Sequence, residues 1–108
     1  MLLELMYTSC ARAEFTDSDL RGLVSQSMHR NPIDGITGVL LYDGSAFMQI
    51  LEGDAGAVDA LYSSIIVDPR HYSVQLESRV NVQRRTFSKW AMKLIHTPIA
   101  LANPCPKT

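Results

Sequence analysis

The sequence has no marked excess of charge of either sign and no long hydrophobic run. Ten Lys and Arg residues against eleven Asp and Glu residues give a formal net charge of −1. That balance disfavours a protein that binds nucleic acid or an anionic membrane through bulk charge. No apolar run approaches the roughly 20 residues needed to cross a bilayer, and the first residues lack the basic and apolar regions of a signal peptide. These absences predict a cytoplasmic protein without nucleic-acid or membrane partners.

Cysteine is scarce as well. Cys10 and Cys105 lack the ligand spacing of a zinc site, and the three histidines, His29, His71 and His96, share no such spacing either. The two cysteines could form one bridge, but a reduced intracellular setting is the simpler interpretation. We therefore expect free thiols and no metal site.

What is present is the composition of an ordinary globular protein, with 46% hydrophobic and 19% charged residues in a chain of 108. This length accommodates one domain. No segment has the pattern of a nucleophilic triad, a phosphate-binding glycine loop or a dinucleotide fingerprint. Enzymatic catalysis by side chains alone is therefore not expected.

Hydrophobic periodicity predicts the element order βαββαββ. Strands are predicted over residues 2–9, 36–42, 46–51, 74–83 and 87–95, and helices over residues 17–30 and from about residue 54 to just before Pro69. Thr16 is expected to cap the first helix and Pro32 to end it. Antiparallel pairing with both helices on one face gives a ferredoxin-like α+β sandwich with a mixed five-stranded sheet. Residues 97–108 are predicted to form an extended or disordered tail because they hold three of the five prolines.

The third predicted strand is apolar on both of its faces. Phe47 and Leu51 lie on one face, and Met48 and Ile50 lie on the other. Two helices cover only one face of such a sheet. We therefore expect the second face to be covered by a partner, by a second copy of the chain or by a segment that this chain lacks.

Three polar residues occupy positions that the pattern marks as apolar or as a helix end. Tyr7 lies on the buried face of the first strand, and Gln49 lies in the most apolar segment of the chain, where an amide is costly without hydrogen-bond partners. Asn31 lies at the end of the first helix. One interpretation is a Tyr–Gln core hydrogen bond and an asparagine cap. The other is that all three line a polar ligand between the helices.

Five segments, in this order and spacing, resemble the BLUF family of blue-light sensors that use FAD. They are YTS at residues 7–9, NPIDGITG at 31–38, FMQILEG at 47–53, DPRH at 68–71, and RRTF at 84–87 continued through WAM at 90–92. The resemblance extends over about residues 2–96. It divides the chain into a flavin-binding domain, residues 1–96, and a proline-rich tail, residues 97–108. The ferredoxin-like fold of the family agrees with the predicted element order.

The resemblance implies that FAD is bound non-covalently between the two helices. Asn31 would hydrogen-bond the C4 carbonyl and N3 edge of the ring, and Gln49 would bridge the N5/O4 edge and the Tyr7 hydroxyl. The other residues implied to contact the flavin, its ribityl chain or its phosphates are Arg30 or His29, Asp68, Arg70, His71 and Met92.

The resemblance also implies a photochemical cycle. Tyr7 would donate an electron and a proton, Gln49 would act as the hydrogen-bond switch, and Trp90 and Met92 would transmit the signal to the sheet. Trp90 and Met92 are two residues apart on the last predicted strand, so they are expected to share a face. Output would pass to a partner protein or through self-association into a homo-oligomer by the outer face of the sheet.

One position departs from the family pattern. Many relatives have a phosphate-pairing arginine where this chain has Ser64, and a hydroxyl cannot replace the bidentate contact of a guanidinium. FMN and riboflavin are therefore alternatives to FAD. Two other interpretations of the whole chain stay open at this point: a small flavin-binding or haem-binding redox enzyme, and an interaction module without a ligand.

Overall fold

The structure, a computed structural model, describes residues 1–101 and 104–106. Within these residues the elements are β1 (Leu2–Ala11), α1 (Asp17–Asp34), β2 (Thr37–Tyr42), β3 (Ala46–Asp54), α2 (Ala55–Ile66), β4 (His71–Asn81) and β5 (Lys93–His96). The strand order is β4-β1-β3-β2-β5, with β5 parallel to β2 and the other neighbours antiparallel. The predicted ferredoxin-like fold with a mixed five-stranded sheet is confirmed. Among the described residues, no helix is long and apolar enough to span a membrane.

The register of the two central strands decides which side chains meet the helices. In β1 and β3, Leu5 is opposite Leu51 and Tyr7 is opposite Gln49, and directly opposed residues of antiparallel strands share a face. We call this the inner face. It packs on the helices in one buried cluster that includes Leu20 of α1 and Val58 of α2. The inner face therefore holds the main core and two polar side chains at its centre.

The first helix begins as predicted and ends later than predicted. Thr16 forms a reciprocal capping box with Asp19. Pro32 does not end the helix, because its missing N–H costs one bond in the last turn only. The helix ends instead at Gly35, which adopts the left-handed conformation with φ 67° and directs its N–H to the carbonyls of Asn31 and Pro32. The expectation that Asn31 caps the helix is therefore wrong.

The last strand is shorter than the predicted 87–95, since only residues 93–96 pair with β2. The preceding segment turns because two of its backbone N–H groups donate hydrogen bonds to the side chain of Glu52 in β3. The Glu52 carboxylate accepts from the N–H of Thr86 at 2.6 Å and from that of Phe87 at 2.8 Å. The N–H of Gly38 donates to the carbonyl of Trp90 at 2.9 Å. Trp90 therefore lies in a turn and not on a pleated strand, and the prediction that it shares a strand face with Met92 is wrong.

The opposite face of the sheet, the outer face, is partly covered by the chain's own tail. The N–H of Thr97 donates to the carbonyl of Tyr42 at 3.1 Å, and Ile99 and Leu101 pack beside the end of β1. There, Cys10 and Cys105 form a disulfide, so the expected free thiols are not observed. The predicted extended tail agrees with the irregular backbone of residues 97–101 and 104–106, whereas the rest of that prediction lies outside the described residues.

Candidate functional site

A cavity of about 180 Å³ lies between α1 and α2, above the inner face of the sheet. The strands supply its floor, and the two helices and the segment after α2 supply its walls. Eight residues that the sequence assigned to the site line this one cavity: Tyr7, Arg30, Asn31, Gln49, Asp68, Arg70, His71 and Met92. His29, the alternative to Arg30, lies in a separate groove beside Leu94. The structure thus brings together residues from five parts of the chain.

A buried chain of three side chains crosses the floor of the cavity. The hydroxyl of Tyr7 donates to Oε1 of Gln49, and Nε2 of Gln49 donates to Sδ of Met92 at 3.6 Å. Tyr7 is 4% exposed and Gln49 is 7% exposed, so both are shielded from water. Burial, with smaller contributions from Tyr62 and Asp68, raises the pKa of Tyr7 far above its ordinary value. Tyr7 is therefore a neutral phenol with its proton directed at Gln49.

Asn31 is buried in the last turn but one of α1. Its side-chain Nδ2 donates to the carbonyl of Ala91 at 2.6 Å, and its backbone carbonyl accepts from the N–H of Ile36 at 2.8 Å. The side chain therefore ties the first helix to the segment that precedes β5. That segment also carries Met92, so both predicted amides, Asn31 and Gln49, contact the same stretch of chain.

The segment after α2 forms a charged wall. Nε of Arg70 donates to Oδ1 of Asp68 at 2.9 Å, and the backbone N–H of Arg70 donates to the same oxygen at 3.0 Å. These hydrogen bonds hold the pKa of Asp68 below its ordinary value. Asp68 is therefore a carboxylate at neutral pH, and it pairs with the guanidinium of Arg70 at the cavity wall.

His71 joins this wall to the central strand β1. Its Nε2 lies 2.6 Å from the carbonyl oxygen of Ile65, and its Nδ1 lies 2.8 Å from Oγ of Ser9. A carbonyl only accepts, so Nε2 donates to Ile65, and Nδ1 is the partner of the Ser9 hydroxyl. The ring also lies edge-on to Tyr7, with centroids 6.3 Å apart.

Several residues on the cavity wall were missed from the sequence. Leu23, Gln26 and Ser27 of α1 line the cavity together with Arg30. Their spacing of three and four residues puts them on one helical face. The polar residues on this helix face could have predicted the cavity wall, because a face that packs only on an apolar core would not be expected to carry Gln26. Ser64 of α2, which the sequence already marked as the departure from the family pattern, also lines the cavity. Its Oγ donates to the carbonyl of Ala60.

Trp90 does not line the cavity. Its ring stacks on Phe87 with centroids 5.7 Å apart, and the ammonium group of Lys93 lies 4.4 Å from its centroid. Of the two predicted transmitters, only Met92 is buried at the cavity and in contact with Gln49.

The lining is suited to a flat aromatic ligand with polar edges and an anionic tail. Leu40, Ile65 and Leu61 provide apolar walls, and the amides of Asn31 and Gln49 provide donors and acceptors at the inner end. The guanidinium groups of Arg30 and Arg70 lie at the cavity, where they suit a phosphate. An isoalloxazine ring with a phosphorylated side chain matches this chemistry.

Comparison with known proteins identifies the class. The sequence model of the family described as "BLUF: Sensors of blue-light using FAD" matches residues 2–93. The chain belongs to this family, so it is a blue-light sensor domain of the flavin-binding type. The resemblance seen in the sequence is confirmed.

The relatives show how widely this domain is used. The chain is 36% identical over 94 residues to the "Blue light- and temperature-regulated antirepressor BluF" of Escherichia coli strain K12, covering 87% of this chain and 23% of that protein. It is 36% identical over 92 residues to "Photoactivated adenylate cyclase subunit beta" of Euglena gracilis, covering 84% of this chain and 11% of that protein. The dark-state structure of the BLUF protein BlrB superposes with a TM-score of 0.84 at 35% identity, covering 88% of this chain and 72% of that one.

Proposed function

We propose that this chain senses blue light through a flavin held non-covalently in the cavity between α1 and α2, with Tyr7 and Gln49 as the photochemical switch. The observation that carries the proposal is the hydrogen bond from the Tyr7 hydroxyl to Gln49 Oε1 on the cavity floor. The division into a flavin-binding domain over residues 1–96 and a tail over residues 97–108 is part of the proposal.

The flavin, when bound, supplies the absorption of blue light and an excited state that accepts an electron. Tyr7 is suited to be the donor because it is a neutral phenol, buried and in line with an acceptor. When the phenol loses an electron it becomes a strong acid, and its proton moves along the existing hydrogen bond to Oε1 of Gln49. The return of electron and proton to Tyr7 then restores the neutral phenol, so the step needs no external oxidant.

Gln49 converts this transfer into a change of hydrogen bonding. Its amide has an acceptor end and a donor end, and in the present state these face Tyr7 and Met92. Rotation or tautomerisation of the amide exchanges what each end offers. The contact between Nε2 and the Met92 sulfur is then altered, and Met92 precedes β5 directly. The signal would leave the cavity along this segment, with Trp90 acting from the adjoining turn.

The remaining predicted residues bind and orient. Asn31 would hold the polar edge of the ring, and Arg30, Arg70 and His71 would contact the ribityl and phosphate groups, with Asp68 fixing Arg70. FAD is the flavin that the family description names. FMN and riboflavin are the alternatives, because Ser64 offers only a hydroxyl, and it already donates within α2.

The output belongs to the proposal as well. The chain spans 23% of the length of the antirepressor and 11% of that of the cyclase subunit, so the activities of those whole proteins are not carried over. We propose that this chain acts in the cytoplasm as a sensor without catalytic activity. Its signal would pass to a downstream protein or through a homo-oligomer formed by the outer face of the sheet.

Absorption spectra before and after blue light test the switch. The purified, flavin-loaded protein should show a reversible red shift of the flavin band. Tyr7→Phe and Gln49→Leu should each bind flavin and lose the shift, because each removes one end of the hydrogen bond. Tyr62→Phe is the matched control, since its ring lies 5.5 Å from that of Tyr7 without contacting Gln49. A persistent shift in Tyr7→Phe or in Gln49→Leu would overturn the mechanism.

A further inference from the structure

The disulfide between Cys10 and Cys105 lies on the opposite side of the sheet from the flavin cavity. Cys10 is at the end of β1 on the outer face, opposite Ala46 of β3. Cys105 belongs to a segment that we call the strap, residues 97–101 and 104–106. Both cysteines are buried in a small cluster with Ala46, against which Ile99 and Leu101 also pack. The bridge is the covalent tie that holds this strap on the outer face.

A second cavity lies beside the bridge. A cavity of about 330 Å³ opens between the strap and β4, and Cys10 and Pro104 are among the residues that line it. Gln75 and Glu77 of β4 give it a polar side. This cavity is the route by which a thiol reagent would approach the bridge, from the side of Cys10.

The strap contacts the strand that carries the switch. Sγ of Cys105 lies 3.9 Å from the carbonyl oxygen of Ser9, and the hydroxyl of Ser9 lies 2.8 Å from Nδ1 of His71. His71 lines the flavin cavity beside Tyr7. The backbone carbonyl of Ser9 therefore contacts the strap, while the side chain of Ser9 contacts His71 in the cavity wall.

A bridge of this kind has a specific meaning in the proposed cytoplasmic setting. Disulfides in reducing compartments are usually transient and act in catalysis or redox sensing. Nothing in the proposed photochemistry uses Cys10 or Cys105, and both lie outside the flavin cavity. Their pairing therefore calls for a separate role.

We propose that Cys10 and Cys105 form a reversible thiol–disulfide site, and that opening the bridge by a dithiol releases the strap from the outer face. A thiolate of the dithiol attacks Sγ of Cys10, the bond to Cys105 breaks, and Cys105 leaves as a thiolate that takes up a proton. The second thiol then displaces Cys10 and leaves as a cyclic disulfide. The two cysteines gain two electrons and two protons, and the dithiol loses them.

Release has a defined structural consequence. The strap then keeps only non-covalent contacts, such as the backbone hydrogen bond of Thr97 with Tyr42 and the packing of Ile99 and Leu101. Once these open, the apolar patch around Ala46 and Tyr72 becomes accessible. The part of the outer face that lies beneath the strap would then be available for output only in the reduced protein. The domain would respond to thiol redox state at one face of its sheet and to light at the other.

The first test counts thiols in the full chain. Protein equilibrated with oxidised or reduced dithiothreitol is labelled with a maleimide and weighed by mass spectrometry. Oxidised protein should take up no label and reduced protein two, and the Cys105→Ser variant should take up one label in both buffers. Two labels in oxidised protein would show that the bridge does not form, which would overturn the proposal whether or not flavin is bound.

The second test measures the strap itself by amide hydrogen exchange. On reduction, exchange in residues 97–101 should accelerate by roughly tenfold or more, since local opening then lacks the covalent restraint. Cys105→Ser should exchange at the faster rate in both buffers. The Cys10→Ala variant removes the bridge from the strand side and should give the same result. Unchanged exchange on reduction would mean that backbone contacts alone hold the strap, and the proposed release would be wrong.

Discussion

The inner and outer faces of the sheet solve the same packing problem in different ways. On the inner face, Tyr7 and Gln49 are almost fully buried and satisfy each other. On the outer face, Met48 and Ile50 are half-buried, and one end of the face is closed by the strap. A buried polar network is directional and tolerates few arrangements, whereas an apolar face accepts many partners. The inner face is thus specialised for a fixed ligand geometry, and the outer face for exchangeable contacts.

The sharpest way to test this comparison is to remove equivalent apolar bulk from each face. Leu51 is fully buried on the inner face, and Ile50 is half-buried on the outer face of the same strand. Leu51→Ala should lower the free energy of unfolding by about 3–4 kcal/mol. Ile50→Ala should lower it by about half as much, since its neighbours are not closed around it. Urea denaturation followed by circular dichroism measures both values. Equal losses would mean that the two faces are packed alike.

Glu52 is an exception to the comparison, because it lies on the outer side of β3 and is fully buried. It shares a face with Glu4, its partner across β1. Burial and then the hydrogen bond and charge of Glu52 raise the pKa of Glu4. The Glu52 carboxylate also accepts the N–H groups of Thr86 and Phe87. It therefore holds the turn that leads to Met92.

Glu52→Ala tests that function. It leaves two backbone donors without a partner and should lower the free energy of unfolding by about 1–3 kcal/mol. Glu52→Gln keeps one acceptor oxygen and should recover about half of that loss. Because the turn positions Met92 beside Gln49, the dark absorption maximum of bound flavin should move in the alanine variant more than in the glutamine variant. An unchanged spectrum in Glu52→Ala would show that the turn does not set the position of Met92.

Much of the inner face was predictable because its signals are local. The strand alternation and the helix cap at Thr16 each depend on a few neighbouring residues. The resemblance to the family motifs identified the cavity residues. Gln49 was also recognisable by itself, because a buried amide in an apolar strand requires hydrogen-bond partners. Such signals can be recognised from the sequence because each one depends only on the residues of its own segment.

Two of the errors have long-range causes, whereas the one at Pro32 is local. The segment before β5 reads as a strand, but the carboxylate of Glu52 bends it from another part of the sheet. Pro32 reads as a helix end, but the termination depends on Gly35 three residues later. The bridge between Cys10 and Cys105 spans 95 residues, and pairing over such a distance follows from the fold and not from spacing.

The smallest expected effect is on stability and flavin release at acidic pH. Hydrogen bonds from Arg70 lower the pKa of Asp68 in the folded protein. This carboxylate therefore stabilises the folded state at pH values above the pKa that Asp68 has in the unfolded chain. That contribution is lost as pH falls through the lower, folded value. In wild type, unfolding and flavin release should become easier in this acidic window. Asp68→Asn should flatten the dependence of stability on pH in this window, and it should leave the protein slightly less stable at neutral pH. Asp59→Asn removes a comparable pair with Arg79, at the edge strand and away from the cavity. It should change the acid stability without changing flavin release, and equal effects on release would assign Asp68 to the general charge balance and not to the cavity.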